Sequence, residues 1–375
     1  MADLEVAGFA VAGGRSQRMG SDKALLPWAR TTLLEHTLAR LRAVCAEVCI
    51  LSGAQIRYGD HGVPVHADVV QEAGPLGGVH AGLFSHQIGA PPIAHGGSAE
   101  LKARVLPGVL AGEKISALAI TEPGGGSDVA NLVTSARRDG GDFVVNGEKT
   151  FITSGMRADF YTVAVRTGGG GASGVSLLLI EREREGFARA PLRKMGWWCS
   201  DTATLHFDNV RVPAGNLIGE ENAGFRIIMR NFNAERLGMS AAAVGFAQAC
   251  LDEALAWARE RKTFGKHLIE HQVVRHKLVA MQTRVHAARA LVYDTAWKLE
   301  LGPRDPQFIA QLAMTKNFAA RVMQFCADEA VQTLGGAGFI RGTRSERIYR
   351  EAKVFAIGGG AEEIMNDLAA RQLGW

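Results

Sequence analysis

A glycine-rich loop followed by basic side chains stands near the start of the sequence. Gly13 and Gly14 come directly after the apolar segment 9–12. Glycines let backbone N–H groups approach phosphate oxygens, and neighbouring cations neutralise the phosphate charge. The cations available are Arg15, Arg18 and Lys23. Because the spacing of glycine, lysine and hydroxyl differs from that of a Walker A motif, the loop predicts a nucleotide site of another kind.

The sequence around this loop resembles one family of nucleotidyltransferases. Residues 9–26, FAVAGGRSQRMGSDKALL, are similar to the signature of molybdenum cofactor guanylyltransferases, and the similarity continues through 63–70 and 73–83. The resemblance implies transfer of GMP from GTP to molybdopterin, with GTP bound by Gly13, Gly14, Arg15 and Lys23. In that family the acidic residues that hold Mg²⁺ belong to the second half of the sheet, which has no counterpart here. We therefore expect a partial module without catalysis, and guanylyl transfer is the alternative function.

Five motifs farther along the chain resemble the acyl-CoA dehydrogenase family. They are TEPGGGSDVANL at 121–132, VNGEKTFITSG at 145–155, RKTFGK at 261–266, QTLGGAGF at 332–339 and REAKVFAI at 350–357. The resemblance implies FAD-dependent α,β-desaturation of an acyl-CoA thioester, with electrons passed to an electron-transfer flavoprotein. It also implies a homo-oligomer, either a dimer or a tetramer.

The same resemblance assigns the cofactor contacts. A flavin that accepts hydride needs hydrogen bonds at its N1, O2 and N5 positions, and strand-edge hydroxyls and amides provide them. The positions that match isoalloxazine contacts are Ile120, Thr121, Phe151 and Thr153, with Gly126 and Ser127 at backbone contacts to cofactor and substrate. The positions that match contacts to the rest of the dinucleotide are Arg261, Thr263, Phe264, Gln272, Gln332, Gly335 and Gly336. In the family, several of these last residues reach FAD bound to a neighbouring subunit.

The catalytic base departs from the commonest family pattern. Removing the α-proton of an acyl-CoA requires a carboxylate with a raised pKa in a dry pocket. Most family members carry this glutamate near the C-terminus, where this chain has Gly359. The long-chain and isovaleryl types carry it at the start of an earlier helix, where this chain has Glu235 followed by Arg236. We therefore expect Glu235 to be the base, with Arg236 and Gly359 beside the substrate.

Three other interpretations remain open. In the first, Glu235 caps its helix or pairs with Arg236. In the second, Glu362 or Glu363 is the base, although both lie beyond the position that the family uses. In the third, the chain is a non-catalytic scaffold, because the resemblance begins near residue 85, where the family's N-terminal helical domain is already ending.

Three zones of different periodicity must position these residues. Short apolar strands alternate with a helical stretch up to about residue 83, which predicts the beginning of an open α/β domain. Strand-like segments separated by turns run from 115 to about 216 and predict a β-barrel or sandwich, with the glycines at 168–171 in a hairpin loop. Apolar residues at helical spacing after 224 predict a bundle.

The zones and the resemblances together predict four segments. They are 1–84, the partial α/β segment; 85–114, a remnant of the helical N-terminal domain; 115–220, the β domain; and 221–375, the C-terminal four-helix bundle. Within the bundle, one apolar seam runs over 274–299 and another over 309–334. Lys316 interrupts the second seam.

Composition excludes several classes of protein. The chain has 375 residues, with 42 Lys and Arg against 38 Asp and Glu and 47% hydrophobic residues, as in folded multidomain proteins. The charge is spread evenly, so we expect no nucleic-acid partner. No apolar run is long enough for a membrane span and the start lacks the features of a signal peptide, so we expect a cytoplasmic protein. The five cysteines are scattered, so we expect no metal site.

Overall fold

The computed structural model describes residues 7–11, 27–28, 31–32, 34–35, 38–39, 47–51, 65–66, 80–300 and 305–375. The chain divides into two compact units. One comprises Met1–Ala73 with Pro107–Lys114, and the other comprises Gly74–Leu106 with Ile115–Trp375. The predicted GTP contacts Gly13, Gly14, Arg15 and Lys23 lie outside the described residues.

The first unit contains a small parallel sheet. The described strands of this unit are β1 (Ala7–Val11), β2 (Pro27–Trp28), β3 (Thr31–Thr32), β4 (Glu47–Leu51) and β5 (Val65–His66). The sheet has the order β1-β4-β5, and both pairings are parallel, with Phe9 opposite Cys49. Parallel neighbours joined by crossover segments are typical of the open α/β class that the sequence predicts.

The second unit begins with helical residues and a curved sheet. The helices are α1 (His80–Gly96) and α2 (Ala99–Leu110), the latter reaching into the segment assigned to the first unit. The strands are β6 (Ser116–Ala119), β7 (Ser135–Asp139), β8 (Asp142–Thr153), β9 (Phe160–Arg166), β10 (Val175–Glu181), β11 (Phe187–Pro191) and β12 (Thr202–Pro213). The order is β10-β9-β7-β8-β12-β11, and β6 pairs with β9 in parallel.

A continuous apolar run places β10, at one end of the strand order, between two layers. All residues of β10 from Val175 to Ile180 are buried, as expected for a strand covered on both faces. Leu178 and Ile180 belong to the core inside the sheet. On the other face, the N-terminus of the first bundle helix meets β10 so closely that a Cβ atom on Gly224 would lie 2.7 Å from the Ser176 carbonyl carbon. The sheet therefore fixes where that helix begins.

Five helices and a short turn of helix form the bundle. Their bounds are α3 (Gly224–Glu260), α4 (Gln272–Glu300), α5 (Pro306–Leu334), α6 (Gly336–Phe339), α7 (Arg344–Ile357) and α8 (Glu362–Leu373), with the hairpin strands β13 (Lys262–Thr263) and β14 (Lys266–His267) between α3 and α4. The start of α5 is capped by Asp305, whose side chain accepts a hydrogen bond from Phe308 N at 2.7 Å. Its end is set by Gly335, with φ of 62°.

The two predicted apolar seams are buried in the core of the bundle. Met281, Val285 and Ala288 of α4 pack with residues of α3, α5 and α7 in one cluster. The bundle is confirmed, as is the hairpin between β9 and β10 that holds the glycines at 168–171. None of the helices described has the length and apolar character needed to cross a membrane.

Parts of the sheet differ from what the apolar pattern of the sequence predicts. That pattern indicates a strand at 143–145, whereas β8 runs from Asp142 to Thr153, and it does not indicate β7 or β11. Gly147 suggests that the strand ends there, because glycine is typical of turns, yet it lies within β8. Its φ is 142°, and a Cβ atom there would lie 2.7 Å from Thr134 Cα. The glycine marks a close approach of two backbones, not a strand end.

Candidate active site

Glu235 lies on α3, three turns after the helix meets the sheet. The residue is half-buried, and its Oε2 is buried without a hydrogen-bond partner among the described residues. Burial raises the pKa of this carboxyl to about 7, while the positive charges of Arg236 and Lys316 oppose the rise. A carboxyl with a pKa near neutrality, in a water-poor site, has the properties of a general base.

A glycine turn between α7 and α8 covers this carboxyl. Gly359 has φ of 66°, a left-handed conformation that favours glycine. A Cβ atom at this position would lie 2.7 Å from Met239 Sδ and 3.9 Å from Glu235 Oε1. The position from which most family members are expected to project their glutamate therefore adjoins the carboxylate of Glu235. In this chain Met239 fills the space that a side chain at 359 would need.

Two buried cations hold the backbone of the turn. Arg236 Nε donates to Gly359 O at 2.9 Å, and Lys316 Nζ donates to Gly360 O at 2.6 Å. Burial lowers the pKa of Arg236, and it lowers the pKa of Lys316 to about 8. Arg236 thus binds the turn through a carbonyl, and among the described residues it forms no ion pair within 4 Å with Glu235.

The rival carboxylates face elsewhere. Glu362 forms an ion pair with Arg321, and Glu363 is exposed in the first turn of α8. Neither has the burial or the unpartnered oxygen of Glu235. Glu235 also does not cap α3, since the helix begins at Gly224. These contacts favour Glu235 among the three carboxylates.

The residues predicted to contact isoalloxazine meet at one edge of the sheet. Thr150 N donates to Thr121 O at 2.8 Å, which joins the end of β8 to the segment after β6. Ile120 is buried beside it, whereas Phe151 is 69% exposed with φ of 59°. Thr153 ends β8, and Thr121 Cγ2 lies 3.2 Å from where a Cβ atom on Gly126 would stand. Ser127 is exposed in the same loop.

A buried ion pair closes the base of that loop. Lys149 Nζ lies 2.8 Å from Glu122 Oε1 and donates to Ile120 O at 2.9 Å. The Glu122 carboxylate also accepts hydrogen bonds from the backbone N–H groups of Val133 and Thr134 at 2.7 and 2.8 Å. Burial opposes ionisation, but Lys149 and these donors still hold the pKa of Glu122 below its usual value. One carboxylate therefore ties both ends of the loop to β8.

The residues predicted to contact the rest of the dinucleotide lie at one end of the bundle. Arg261 follows the end of α3, Thr263 and Phe264 belong to the β13–β14 hairpin, and Gln272 begins α4. Gln332 lies in the last turn of α5, which Gly335 and Gly336 follow, and a Cβ atom on either glycine would meet nothing within 4 Å. An ion pair of 2.5 Å between Lys277 and Glu329 links the first turns of α4 to the last turns of α5.

The residues present fit an FAD site. A bulky residue in the left-handed region is uncommon and costs roughly 1 kcal/mol or more, and such strain concentrates at ligand sites. Phe151 combines that conformation with an exposed aromatic side chain, and its neighbour Thr150 is hydrogen-bonded to Thr121 O. Among the residues predicted to contact the rest of the dinucleotide, Phe264 is 96% exposed. It precedes Gly265, where a Cβ atom would meet nothing within 4 Å. Both places offer an exposed aromatic side chain and open space at neighbouring glycines.

Three supporting residues had only weak signals in the sequence. Met239 follows Glu235 by four residues and so shares its helix face, but an apolar residue at that spacing reads as core. Glu122 and Lys149 belong to the two family motifs, yet nothing in their spacing shows that they pair across the sheet.

Comparison with known proteins identifies the same two parts of the chain. Models of the acyl-CoA dehydrogenase middle and C-terminal domains match residues 117–210 and 222–374. A model of the MobA-like NTP transferase domain matches residues 8–95. Both resemblances predicted from the sequence are thereby confirmed, including their order in a fused chain.

Individual relatives agree with the larger match. Cyclohexane-1-carbonyl-CoA dehydrogenase of Geobacter metallireducens is 38% identical over 292 residues, 78% of this chain and 76% of that protein. The structure of a probable acyl-CoA dehydrogenase from Mycobacterium abscessus is 49% identical, with a TM-score of 0.78 over 80% of each chain. A structure of PigA with FAD and proline is 29% identical, with a TM-score of 0.75 over 78% of this chain and 77% of that one. This chain therefore belongs to the acyl-CoA dehydrogenase family.

Proposed function

We propose that this enzyme uses FAD to introduce an α,β double bond into an acyl-CoA thioester, with Glu235 as the base. The observation that carries the proposal is the buried Glu235 carboxylate, which has a pKa of about 7 and lies under the glycine turn. An acyl chain whose α-carbon lies beside Gly359 presents its α-proton to Oε1 or Oε2. Because Oε2 has no other partner among the described residues, it is available to accept that proton.

Different residues of this chain would bind the cofactor and position the substrate. FAD, when bound, supplies the acceptor for the hydride that leaves the β-carbon. Ile120, Thr121, Phe151 and Thr153 would hold its ring, and Gly126 and Ser127 would contribute backbone contacts. Arg261, Thr263, Phe264, Gln272, Gln332, Gly335 and Gly336 would hold the remainder. Arg236 acts beside the substrate by fixing Gly359 through its carbonyl, and Gly359 leaves room for the acyl group.

The electron acceptor and the assembly are part of the same proposal. An electron-transfer flavoprotein receives the electrons, as the family resemblance implies, and the protein acts in the cytoplasm, as its composition favours. The chain forms a dimer or tetramer, in which a second copy covers apolar side chains near the dinucleotide residues. Phe339 and Ile340, which are 86% and 66% exposed, support this assembly together with Phe264. Large apolar side chains exposed in this way are typical of interfaces.

A second candidate function belongs to the N-terminal segment. The match of residues 8–95 to the MobA-like NTP transferase domain favours a nucleotide site there. We propose that this segment binds GTP weakly and does not transfer the nucleotidyl group, since Mg²⁺ must neutralise the triphosphate and the acidic half of that family's sheet has no counterpart in the sequence.

Flavin titration followed by anaerobic reduction tests the main proposal. FAD added to the full chain binds with a Kd well below tens of micromolar, and the bound flavin bleaches when an acyl-CoA is added. A series of straight and branched acyl-CoA thioesters then defines the preferred acyl group. Failure to bind FAD at tens of micromolar, or stable flavin colour with every thioester, contradicts the proposed activity.

A further inference from the structure

We propose that Lys316 is a positioning residue for proton transfer to Glu235: from α5 it holds the turn at 358–360 in place and directs a positive charge toward the carboxylate. This inference rests on the proposed function of Glu235. It explains why a lysine interrupts an otherwise apolar helix seam, which neither the family motifs nor the packing of the bundle requires.

Lys316 is buried without a carboxylate partner. Its residue exposure is 1%, and among the described residues no carboxylate oxygen lies within 4 Å of its Nζ. A buried, unpaired ammonium group costs several kcal/mol in folding free energy. An aliphatic residue at this seam position would avoid that cost, so stability alone does not account for the lysine. What Lys316 gains is one hydrogen bond of 2.6 Å to Gly360 O.

That hydrogen bond fixes the last residue of a turn whose first residue, Gly358, donates its backbone N–H to Val354 O at 2.7 Å. Gly359 and Gly360 have φ values of 66° and 109°, and Cβ atoms at these positions would lie 2.7 Å from Met239 Sδ and 2.5 Å from Met365 Cε. Two flexible methionine side chains therefore pack against two glycines, which have no side chains. The side-chain hydrogen bonds to the two following glycines come from opposite helices, with Arg236 on Gly359 O and Lys316 on Gly360 O.

The position of the turn decides the space above the base. Gly359 is close enough that its missing Cβ would lie 3.9 Å from Glu235 Oε1. A displacement of about 1 Å near reacting groups can lower a rate by roughly 10²-fold. Lys316 thus acts on the reaction through Gly360 and Gly359, without touching the substrate.

The charges around Lys316 also act on the base. Lys316 faces Arg236 and Glu235 on α3, and Glu362 and Glu363 on α8. Glu235 in turn faces Arg236 and Lys316. Burial raises the pKa of Glu235, and both cations limit that rise. Since burial lowers the pKa of Lys316 only to about 8, the ammonium form predominates at neutral pH and stabilises the carboxylate.

Removing the charge should raise the proton affinity of Glu235. In Lys316→Met, we expect the acidic limb of the pH profile for flavin bleaching to move upward by roughly one pH unit. The same shift should appear in an infrared titration of the FAD-bound protein without substrate, in which the protonated carboxyl band of Glu235 is identified by its loss in Glu235→Gln. Lys316→Arg keeps the charge and should restore most of the parental midpoint. Lys298→Met, which breaks an exposed ion pair with Asp294 at the far end of α4, should leave it unchanged.

The two readouts separate this inference from the proposed function. If the parental enzyme does not bleach with any acyl-CoA, the proposed function is wrong, and the infrared titration still decides the role of Lys316. An unchanged carboxyl midpoint in Lys316→Met contradicts the inference. Should Lys316→Met fail to fold, Lys316→Gln, which retains an amide donor for Gly360 O but no charge, replaces it with the same expected shift and the same contradicting result.

Discussion

Glu235 is held in a state that opposes folding. A carboxyl whose pKa rises from 4.5 to about 7 on burial keeps its proton in the folded protein after the unfolded chain has released it. Most buried carboxylates avoid this cost by pairing, as Glu122 does with Lys149. A half-buried carboxyl without a hydrogen-bond partner for Oε2 among the residues described therefore indicates a functional requirement.

The cost of this carboxyl should be visible in the pH dependence of stability. The folded protein is most stable with respect to this group below about pH 4.5, where the carboxyl is protonated in both states. That stability is lost as the pH rises to about 7, because the folded pKa is the higher one. We expect Glu235→Gln to be more stable than the parental protein at pH 8, by roughly 1–3 kcal/mol in the free energy of unfolding, and to lose this advantage at pH 5. Denaturant unfolding at several pH values measures it.

A matched control is Glu363→Gln, because Glu363 is exposed. The stability difference between that variant and the parental protein should not vary in the same way with pH. If Glu235→Gln and Glu363→Gln show the same pH dependence, the burial of Glu235 does not shift its pKa as described.

At the scale of elements, a buried ion pair between Glu122 and Lys149 ties the part of the sheet that carries the predicted flavin residues to the loop at 121–132. Glu122 receives two backbone N–H groups from the far end of its loop, and Lys149 binds both Glu122 and Ile120 O. These bonds set the separation between the loop at 121–132 and β8. The predicted flavin residues on either side therefore share one anchor.

Breaking the pair should destabilise the β domain. Glu122→Gln leaves the Lys149 ammonium buried without a counter-charge, and we expect a loss of roughly 3 kcal/mol in the free energy of unfolding at neutral pH. FAD affinity should also fall. Glu221→Gln is the control, since its ion pair with Arg138 is half exposed and contributes less than about 1 kcal/mol. Equal losses in the two variants would show that burial of the Glu122–Lys149 pair has no special effect.

The limits of sequence reasoning follow from which interactions are local. The bundle was predictable because its apolar seams repeat along one helix. Glu235 could be proposed as the base because Arg236 follows it in a recognisable motif. The strands β7 and β11 were not predictable, because their sequences SARRD and FARAP lack apolar alternation. They form strands only by pairing with neighbouring strands of the sheet. The contacts of Lys316 with Gly360 and of Met239 with Gly359 join distant segments, so no local pattern shows them.

At the scale of the whole molecule, the chain combines parts of two enzyme families. The models that match residues 117–210 and 222–374 belong to one, and the model that matches residues 8–95 belongs to the other. The last of these ranges includes most of α1, which the contacts assign to the larger unit. Thr162 Oγ1 donates to Gly89 O at 2.9 Å, so that helix is bound to the sheet of the dehydrogenase part.

The N-terminal segment should bind nucleotide without turnover. We expect weak GTP binding that decreases in Lys23→Ala, and no release of pyrophosphate with GTP, Mg²⁺ and molybdopterin, because glycines and basic residues cannot replace the metal in stabilising the leaving group. Equilibrium binding and a pyrophosphate assay on the full chain measure the two properties. Pyrophosphate release that disappears in Lys23→Ala would establish a working guanylyltransferase instead.

The central claim is that Glu235 removes the α-proton, and single-turnover reduction tests it most directly. The full chain, saturated with FAD and mixed anaerobically with excess acyl-CoA, should bleach at a rate that falls by roughly 10²–10⁴-fold in Glu235→Gln while FAD stays bound. Glu362→Gln, whose parent carboxylate pairs with Arg321, should bleach at nearly the parental rate. Bleaching of Glu235→Gln at the parental rate would contradict the account.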